Sequence, residues 1–343
     1  MQLSILDQSP IPEGATAGQA LRNTIELAQL AENLGYGRYW VAEHHGTPAL
    51  ACASPEVLIG PIAARTSRIR VGSGGIMLPH YSPLKVAETF SMLSGMFPGR
   101  IDLGIGRAAG TSPNVAYALQ RDRRQRAPDD FQEQLDELLG YFGEVRWSGP
   151  PFISPEPYLL GSSLQSAVWA AELGLPYVFA DFINANGAEI VEYYREKFRP
   201  SASLSKPYVM VAAWAICAET DDEALRLSAS MRMMMTLLHR GRLIPVPTVE
   251  KAQQFLAQEG LGVDTMPPGR RLITGAPERV SRALGDLSRE YGGVDEILIV
   301  NIMYDHAARM RSYELIAEVN QRSSEPALSN LSVRQLSDIV RTT

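Results

Sequence analysis

The sequence is poor in cysteine, in surplus positive charge and in long apolar runs, and each absence excludes a class of protein. Cys52 and Cys217 are the only cysteines among 343 residues, too few for a disulfide-stabilised secreted scaffold or a thiolate zinc site. Acidic residues outnumber basic ones, 38 to 32, which argues against a surface that neutralises nucleic-acid phosphates. Apolar runs fall short of the ~20 residues that span a bilayer. We therefore expect a cytoplasmic protein that binds small molecules, with no nucleic-acid or membrane partner.

Short β-branched or apolar runs alternate with longer amphipathic segments, which indicates repeated βα units around a parallel sheet. Eight runs are candidate strands: 2–6, 38–42, 70–77, 101–105, 158–160, 177–180, 208–216 and 296–300. Helical patterns follow them at 19–34, 55–65, 83–96, 129–142, 163–173, 188–198, 221–238 and 306–320. Eight such units predict a single (β/α)8 TIM barrel of the α/β class, with its active site at the carboxyl ends of the strands.

The chain is longer than eight βα units require, and the excess lies in two insertions. One occupies residues 108–128 after strand four, and the other occupies 239–275 after strand seven, before an extra helix at 277–291. We interpret both insertions as loops over the mouth of the barrel. Residues 1–322 are predicted to form the barrel domain, and the polar segment 323–343 a C-terminal tail packed on it.

Strand two ends in a cluster of titratable side chains, Glu43, His44 and His45. Such a cluster can supply a general base with its orienting partner, metal ligands, or only a hydrogen-bonded strand end. The residues alone leave the catalytic and structural interpretations about equally open. The three other histidines form none of the usual metal-binding spacings, so we predict no metal site.

Glycines interrupt the apolar patterns of strands three and four. Gly74 and Gly75 lie inside strand three, and Gly106 closes strand four. Consecutive glycines in a strand imply either that a ligand approaches the backbone closely or that the chain forms a bulge needed for packing. A flat ring lying across the barrel end would need that close approach.

Anion-binding groups follow strands four and five. Arg107 comes directly after strand four, and its planar donor fork suits a phosphate or a carboxylate. Strand five ends at Gly161, Ser162 and Ser163, with Ser166 one helical turn later. Hydroxyl groups and backbone N–H groups at the start of a helix form an anion site. Helix capping alone would explain one of the serines, but with Arg107 at the same end a phosphate site is favoured.

Taken in order, these motifs resemble those of the bacterial luciferase-like flavin monooxygenase family. The residues that carry the resemblance are 42–45, 74–79, 104–107 and 158–176, and it extends from residue 3 to about residue 319. The resemblance implies a (β/α)8 barrel that binds reduced FMN at its C-terminal face. It further implies oxygenation of a small organic substrate (an aldehyde, a ketone or a biosynthetic intermediate) by O2 through a flavin hydroperoxide.

The resemblance also implies roles for individual residues. His44 matches the catalytic base, with Glu43 or His45 as the group that orients it. Arg107 matches the arginine that pairs with the FMN phosphate, and the strand-five serines match the phosphate loop. The Gly74-Gly75 bond falls where the family has a non-prolyl cis peptide beneath the flavin ring.

Two residues depart from the luciferase pattern. Gly106 stands where the light-emitting subunit has a reactive cysteine, and Ser162 where it has a glutamate. The departures argue against light emission from long-chain aldehydes, so we expect a hydroxylase or a Baeyer–Villiger type oxygenase.

The resemblance implies partners as well. We expect a homodimer, and because no nucleotide-binding domain is recognisable beside the barrel, a separate NAD(P)H:flavin reductase that supplies reduced FMN. Two alternatives remain at this point: a flavin- or deazaflavin-dependent oxidoreductase, and a non-catalytic flavin-binding partner subunit.

Overall fold

Parallel strands close into a barrel in the computed structural model, which describes residues 1–107, 112–120, 123–124, 129–143, 151–262 and 265–324. In chain order the strands are β1 Gln2–Asp7, β2 Arg38–Val41, β3 Arg70–Met77, β4 Ile101–Gly106, β5 Glu156–Gly161, β6 Tyr177–Ala180, β7 Val209–Cys217, β8 Ile273–Gly275 and β9 Glu296–Val300. Strands β1 to β6 pair in order, β6 also pairs with β7, and β9 lies between β7 and β1. Strands β1 to β7 and β9 are the eight parallel strands of the predicted barrel, so the fold prediction is confirmed.

The helices lie between the strands, as the sequence pattern predicts. Their bounds are α1 Ala17–Leu34, α2 Pro55–Arg65, α3 Pro83–Met96, α4 Pro113–Leu119, α5 Phe131–Phe142, α6 Leu164–Leu173, α7 Ala188–Lys197, α8 Asp221–His239, α9 Val249–Gln258, α10 Pro277–Glu290 and α11 His306–Ser324. Within the described part of the chain, none of these helices is both long and apolar enough to cross a membrane.

The two insertions contain more regular structure than loops would. Residues 239–275 include helix α9 and strand β8, so the interpretation of this segment as a loop is wrong in part. Strand β8 is short enough to escape a periodicity search, and its pairing with Ala215 to Cys217 of β7 forms it. In the first insertion α4 is described, whereas 108–111, 121–122 and 125–128 lie outside the described residues, as does the predicted tail from 325 onwards.

Local sequence signals explain where several helices begin and end. The Thr16 hydroxyl accepts the backbone N–H of Gln19 at 3.2 Å, which caps the start of α1. Gly35 and Gly174 end α1 and α6 with φ values of 81° and 63°. Glycine adopts this left-handed conformation without a Cβ clash, and the chain can therefore turn back towards the next strand.

Alternating strand residues divide the buried side chains into two clusters. In β1, Ile5 packs against the surrounding helices, whereas Leu6 belongs to the cluster that fills the barrel and continues beneath α8 and α9. Tyr39 and Trp40 divide in the same way in β2. Because successive strand side chains point to opposite faces, each strand contributes to both clusters.

The amino-terminal ends of the strands are held together by a buried ionic cluster. Asp102 on β4 is fully buried and accepts hydrogen bonds from Arg38 at 2.9 Å, Trp40 at 2.8 Å and Arg70 at 2.8 Å. Arg38 also donates to Glu296 on β9 at 3.0 Å. The cluster therefore links β2, β3, β4 and β9 at the end of the barrel opposite the strand carboxyl ends.

Replacing Asp102 should destabilise the barrel severely. In Asp102→Ala the buried guanidinium of Arg38 and the partly buried one of Arg70 lose their shared carboxylate and keep only Glu296 and Glu156, and removing one partner of a buried ion pair costs about 3–5 kcal/mol. We expect that decrease in the free energy of unfolding, measured by urea denaturation. The matched control is Glu88→Ala, which removes the exposed Glu88–Lys85 pair and should cost less than about 1 kcal/mol. Equal losses in the two variants would contradict a structural role for the cluster.

Candidate active site

A cavity of about 610 Å³ opens at the carboxyl ends of the barrel strands. It collects residues from the ends of β1 to β7, which is where TIM-barrel enzymes place their chemistry. Ten of the eleven residues singled out in the sequence line this first cavity: Glu43, His44, Gly74, Gly75, Gly106, Arg107, Gly161, Ser162, Ser163 and Ser166. Residues separated by more than a hundred positions in the chain are thus brought to one site.

Glu43 is a buried carboxylate at the end of β2, and both of its oxygens are engaged. One oxygen lies 2.6 Å from Nε2 of His45, and the other accepts the backbone N–H of Met77 at 2.8 Å. His45 does not belong to the cavity lining, and its ring packs edge-on against His80 at 5.9 Å between centroids. Glu43 and His45 therefore form a support that fixes the end of β2 against β3.

His44 lies between Glu43 and His45 in the chain, and its ring faces the first cavity. Its backbone N–H donates to the carbonyl of Cys52 at 2.9 Å. Its Nδ1 atom is buried, and no group among the described residues hydrogen-bonds to it. Burial, and then the neighbouring charge of His45, lowers the pKa of His44 to about 4. The imidazole is accordingly neutral at pH 7 and available as a proton acceptor.

The floor of the first cavity contains the Gly74-Gly75 peptide bond, which is cis. The sequence resemblance predicted a cis bond at this position, and the structure has it. A Cβ added to Gly75 would lie 2.8 Å from the carbonyl oxygen of Gly104 on the neighbouring strand. Side chains are excluded here because β3 and β4 approach closely, and the ladder between them shifts register between Ser73 and Ile76.

Arg107 stands at the rim of the first cavity with its guanidinium half-exposed. It pairs with Asp129 at 3.2 Å and lies over the ring of Trp169, 5.5 Å from the centroid. An exposed pair of this kind is weak. The guanidinium is therefore free to exchange Asp129 for a more highly charged ligand while Trp169 keeps it at the cavity.

The segment after β5 supplies hydroxyl and backbone donors on the same side. Ser163 is the N-cap residue of α6, yet its side chain makes no capping bond to the helix. Ser166 is instead tied back, with its hydroxyl donating to the Ser163 carbonyl at 2.7 Å and lying 2.9 Å from the Tyr177 hydroxyl. The start of α6 thus keeps uncapped donors at the cavity, beside Arg107.

A second cavity of about 390 Å³ adjoins the first. The two share four residues of their linings, namely Gln8, His44, Phe182 and Ile183. The rest of the second cavity is lined mainly by apolar side chains, which come from the segment after β2, from α8, from the segment that follows α8 and from the segment after β9. His44 consequently faces both cavities.

Sequence reasoning missed part of this lining. Gln8 and Phe182 follow strands β1 and β6, and a barrel prediction could have named them by position. Trp169 lies inside the motif region, but nothing in the sequence marks it as the partner of Arg107. Among the described residues, no group of three or more His, Cys, Asp or Glu side chains is arranged to hold a metal ion.

Comparison with known proteins identifies relatives along almost the whole chain. The family described as luciferase-like monooxygenase matches residues 1–314. The chain is 44% identical over 332 residues to the uncharacterized protein YwcH of Bacillus subtilis, with 93% of this chain and 98% of the relative covered. It is 37% identical over 334 residues to N-acetyl-S-alkylcysteine monooxygenase of the same organism, with the same coverage.

Solved structures share the architecture. Apo-MsnO8 superposes with a TM-score of 0.86 at 38% identity, covering 93% of this chain and 98% of that one. The oxygenating constituent of 3,6-diketocamphane monooxygenase from Pseudomonas putida, a type II Baeyer–Villiger enzyme in complex with FMN, superposes with a TM-score of 0.70 at 22% identity, covering 93% and 97%. The second likeness concerns the fold alone.

The low pKa of His44 predicts a specific dependence of stability on pH. An unfolded chain protonates His44 below its ordinary pKa of 6.5, whereas the folded chain resists protonation down to about pH 4. Acid therefore favours unfolding through this group. Between pH 7 and pH 5 the parent should lose about 2 kcal/mol more of its free energy of unfolding than His44→Gln, which cannot titrate. Urea denaturation of both proteins at the two pH values measures the difference, and identical pH dependence would show that His44 titrates normally.

Proposed function

The chain belongs to the luciferase-like monooxygenase family, and we propose that it is an FMN-dependent monooxygenase that uses reduced FMN and O2 to oxygenate a small organic substrate. The observation that carries this proposal is the first cavity. There Arg107, the uncapped start of α6, the Gly74-Gly75 floor and the ring of His44 face one space. Arg107 and the start of α6 match the phosphate of a flavin mononucleotide, and the Gly74-Gly75 floor matches its ring system. His44 matches the need for a proton acceptor beside the ring.

The phosphate end of FMN fits the donors beside α6. A phosphate monoester carries close to two negative charges and accepts hydrogen bonds from several directions. Arg107, the hydroxyl of Ser163 and the N–H groups at the start of α6 supply a cation, a rotatable donor and the positive end of a helix dipole. Asp129, the present partner of Arg107, is exposed, so its displacement costs little.

The ring end of FMN fits the rest of the first cavity. Its walls are apolar where Leu6, Leu160, Val178 and Ala212 contribute, and its floor lacks side chains at Gly74 and Gly75. A cavity of about 610 Å³ lies within the range of sites that bury most of a cofactor-sized ligand. A flat ring would pack against the backbone there and exclude water from it.

When bound, reduced FMN supplies the two electrons with which O2 is split, so that one oxygen atom enters the substrate and the other leaves as water. The protein's own residues hold the ring, keep water out and handle the proton. His44 is neutral at physiological pH because burial lowers its pKa to about 4, and it can accept a proton at the boundary of the two cavities. Glu43 positions it through the end of β2.

The proposal includes an external supply of reduced flavin. The described residues form one barrel with its helices, and the first cavity matches a mononucleotide. We therefore propose a separate NAD(P)H:flavin reductase as the source of reduced FMN. Steady oxidation of NADH by the purified chain with FMN alone would contradict this part.

The phosphate site predicts that Arg107→Ala weakens FMN binding but not riboflavin binding, since riboflavin lacks the phosphate. Loss of a charge-assisted hydrogen bond corresponds to an affinity about ten- to a hundredfold lower. Fluorescence titration of the flavin-free protein with both ligands measures this. As a control, Arg289→Ala removes an exposed arginine on α10 and should change neither affinity. An equal loss for FMN and riboflavin in Arg107→Ala would place the arginine elsewhere than at the phosphate.

The oxygenase proposal itself is tested with isotopically labelled O2. Protein loaded anaerobically with reduced FMN is mixed with labelled O2 and a panel of aldehydes, ketones and thioethers, and the products are analysed by mass spectrometry. We expect label in the product, and a rate about 10²- to 10⁴-fold lower in His44→Gln with FMN affinity retained. His239→Gln, at the exposed end of α8, should match the parent.

Three other outcomes would each overturn a different part of the proposal. Unlabelled product with consumption of reduced flavin would indicate a reductase. Binding of a deazaflavin coenzyme instead of FMN would favour a deazaflavin-dependent oxidoreductase. Parent-level turnover in His44→Gln would remove the role of that residue.

A further inference from the structure

The charges that line the second cavity are of one sign. Arg242 and Arg270 both contribute to its lining, and no aspartate or glutamate among the described residues does. Arg242 is exposed at the rim, whereas Arg270 is partly buried, and burial lowers the pKa of its guanidinium. A cation in this position normally has a carboxylate partner, because burial of an unpaired charge is costly.

Arg270 has no such partner in the part of the chain that the structure describes: no carboxylate lies within the 4.0 Å of an ion pair. One of its nitrogens donates to the backbone carbonyl of Phe182 at 2.7 Å. The guanidinium also lies over the ring of Trp214, 5.8 Å from the centroid. These two contacts fix its position and leave several of its five N–H donors available.

Trp214 supplies a second unused donor at the same place. The residue is 2% exposed, and it lies on β7 in the lining of the second cavity. Its indole Nε1 is buried and makes no hydrogen bond with any described residue. A buried donor left unpaired destabilises the folded protein. A ligand that accepts hydrogen bonds from both Trp214 and Arg270 would use donors that the described residues leave available.

The remainder of the second cavity is suited to hydrocarbon. Most of its other lining residues are apolar. They are Met234, Met235, Leu238, Leu243 and Ile244 from α8 and the segment after it, Ala49 and Leu50 from the segment after β2, and Ile302 after β9. Methionine side chains are flexible and polarisable, and they adapt to apolar ligands of different shape. The volume of about 390 Å³ accommodates a small molecule with an alkyl or thioether body.

We propose that the second cavity binds the substrate of the oxygenation and that this substrate is an organic carboxylate with an apolar body. Arg270 and the indole N–H of Trp214 hold the carboxylate, the methionine wall holds the body, and the substrate reaches past His44 towards the first cavity. A carboxylate fits better than a phosphate ester, since a single partly buried guanidinium balances one negative charge and not two. The assignment of this ligand as substrate rests on the proposed function, whereas the anion site does not.

The experiment compares octanoate with 1-octanol, which share the alkyl chain and differ in the charged group, by calorimetric titration of the flavin-free protein. We expect octanoate to bind at least about tenfold more tightly than octanol, and this preference to disappear in Arg270→Gln. Trp214→Phe, which keeps an aromatic ring and loses the N–H, should also weaken octanoate binding and leave octanol binding unchanged. Arg289→Gln removes the same charge from an exposed position on α10, outside both cavities, and should change octanoate affinity by less than about threefold.

Each outcome decides the question. If octanoate and octanol bind equally, if neither binds, or if Arg289→Gln loses as much affinity as Arg270→Gln, the anion site is wrong. FMN titration of the same preparations keeps the two proposals apart: FMN binding without octanoate binding overturns this inference alone, and octanoate binding without FMN binding overturns the flavin proposal alone.

A kinetic experiment tests the assignment of the ligand as substrate. With reduced FMN and labelled O2, thioether carboxylates should be oxygenated by the parent, and Arg270→Gln should raise KM far more than it lowers kcat. Equal KM values in parent and variant would overturn the substrate assignment.

Discussion

The carboxylate of Glu43 is buried between two strand ends, and each of its oxygens is engaged by a different neighbour. The contact with Met77 binds the end of β2 to the end of β3, and the contact with His45 fixes the residue that follows His44. Tyr81 lies against the same carboxylate, and its pKa is raised by burial and by Glu43. His44 is therefore held from both sides, and its ring can stay poorly solvated with an Nδ1 atom to which no described residue hydrogen-bonds. Loss of this support would free the ring to turn towards solvent, where its pKa would return to the ordinary value.

Most of the barrel is predictable from the sequence because its strands and helices are long enough to show their periods. Eight strands and their helices are found within a few residues of their predicted positions, and ten site residues meet in one cavity, since strand ends of a closed barrel share one face. His45 is the exception. Alternation along β2 does not indicate which of the two adjacent histidines faces the cavity. The contact between His45 and Glu43 is recognised only in the structure, where Met77 of β3 holds the other oxygen of Glu43.

The second cavity cannot be predicted from the sequence, for a different reason. Arg270 and Trp214 lie more than fifty positions apart, and neither belongs to a motif. Met234 and Met235 lie on α8, and the sequence pattern of that helix is typical of ordinary core residues. Among the described residues, Arg270 lacks a carboxylate partner and the indole N–H of Trp214 lacks a hydrogen-bond partner, and such absences can be recognised only in three dimensions. Strand β8, which is three residues long, was missed because tertiary pairing with β7 forms it.

The two cavities differ in the elements that build them. The first is formed by strand ends whose positions are set by the closed barrel, so a change of length there would disturb every neighbouring strand. The second takes part of its outer wall from the segment 240–248 between α8 and α9, and connecting segments tolerate insertions and substitutions far better than strand ends. Descendants of this chain can therefore change the residues of the outer wall while the first cavity stays the same. A barrel of this design can acquire new substrates over evolutionary time without rebuilding the site that performs the reaction.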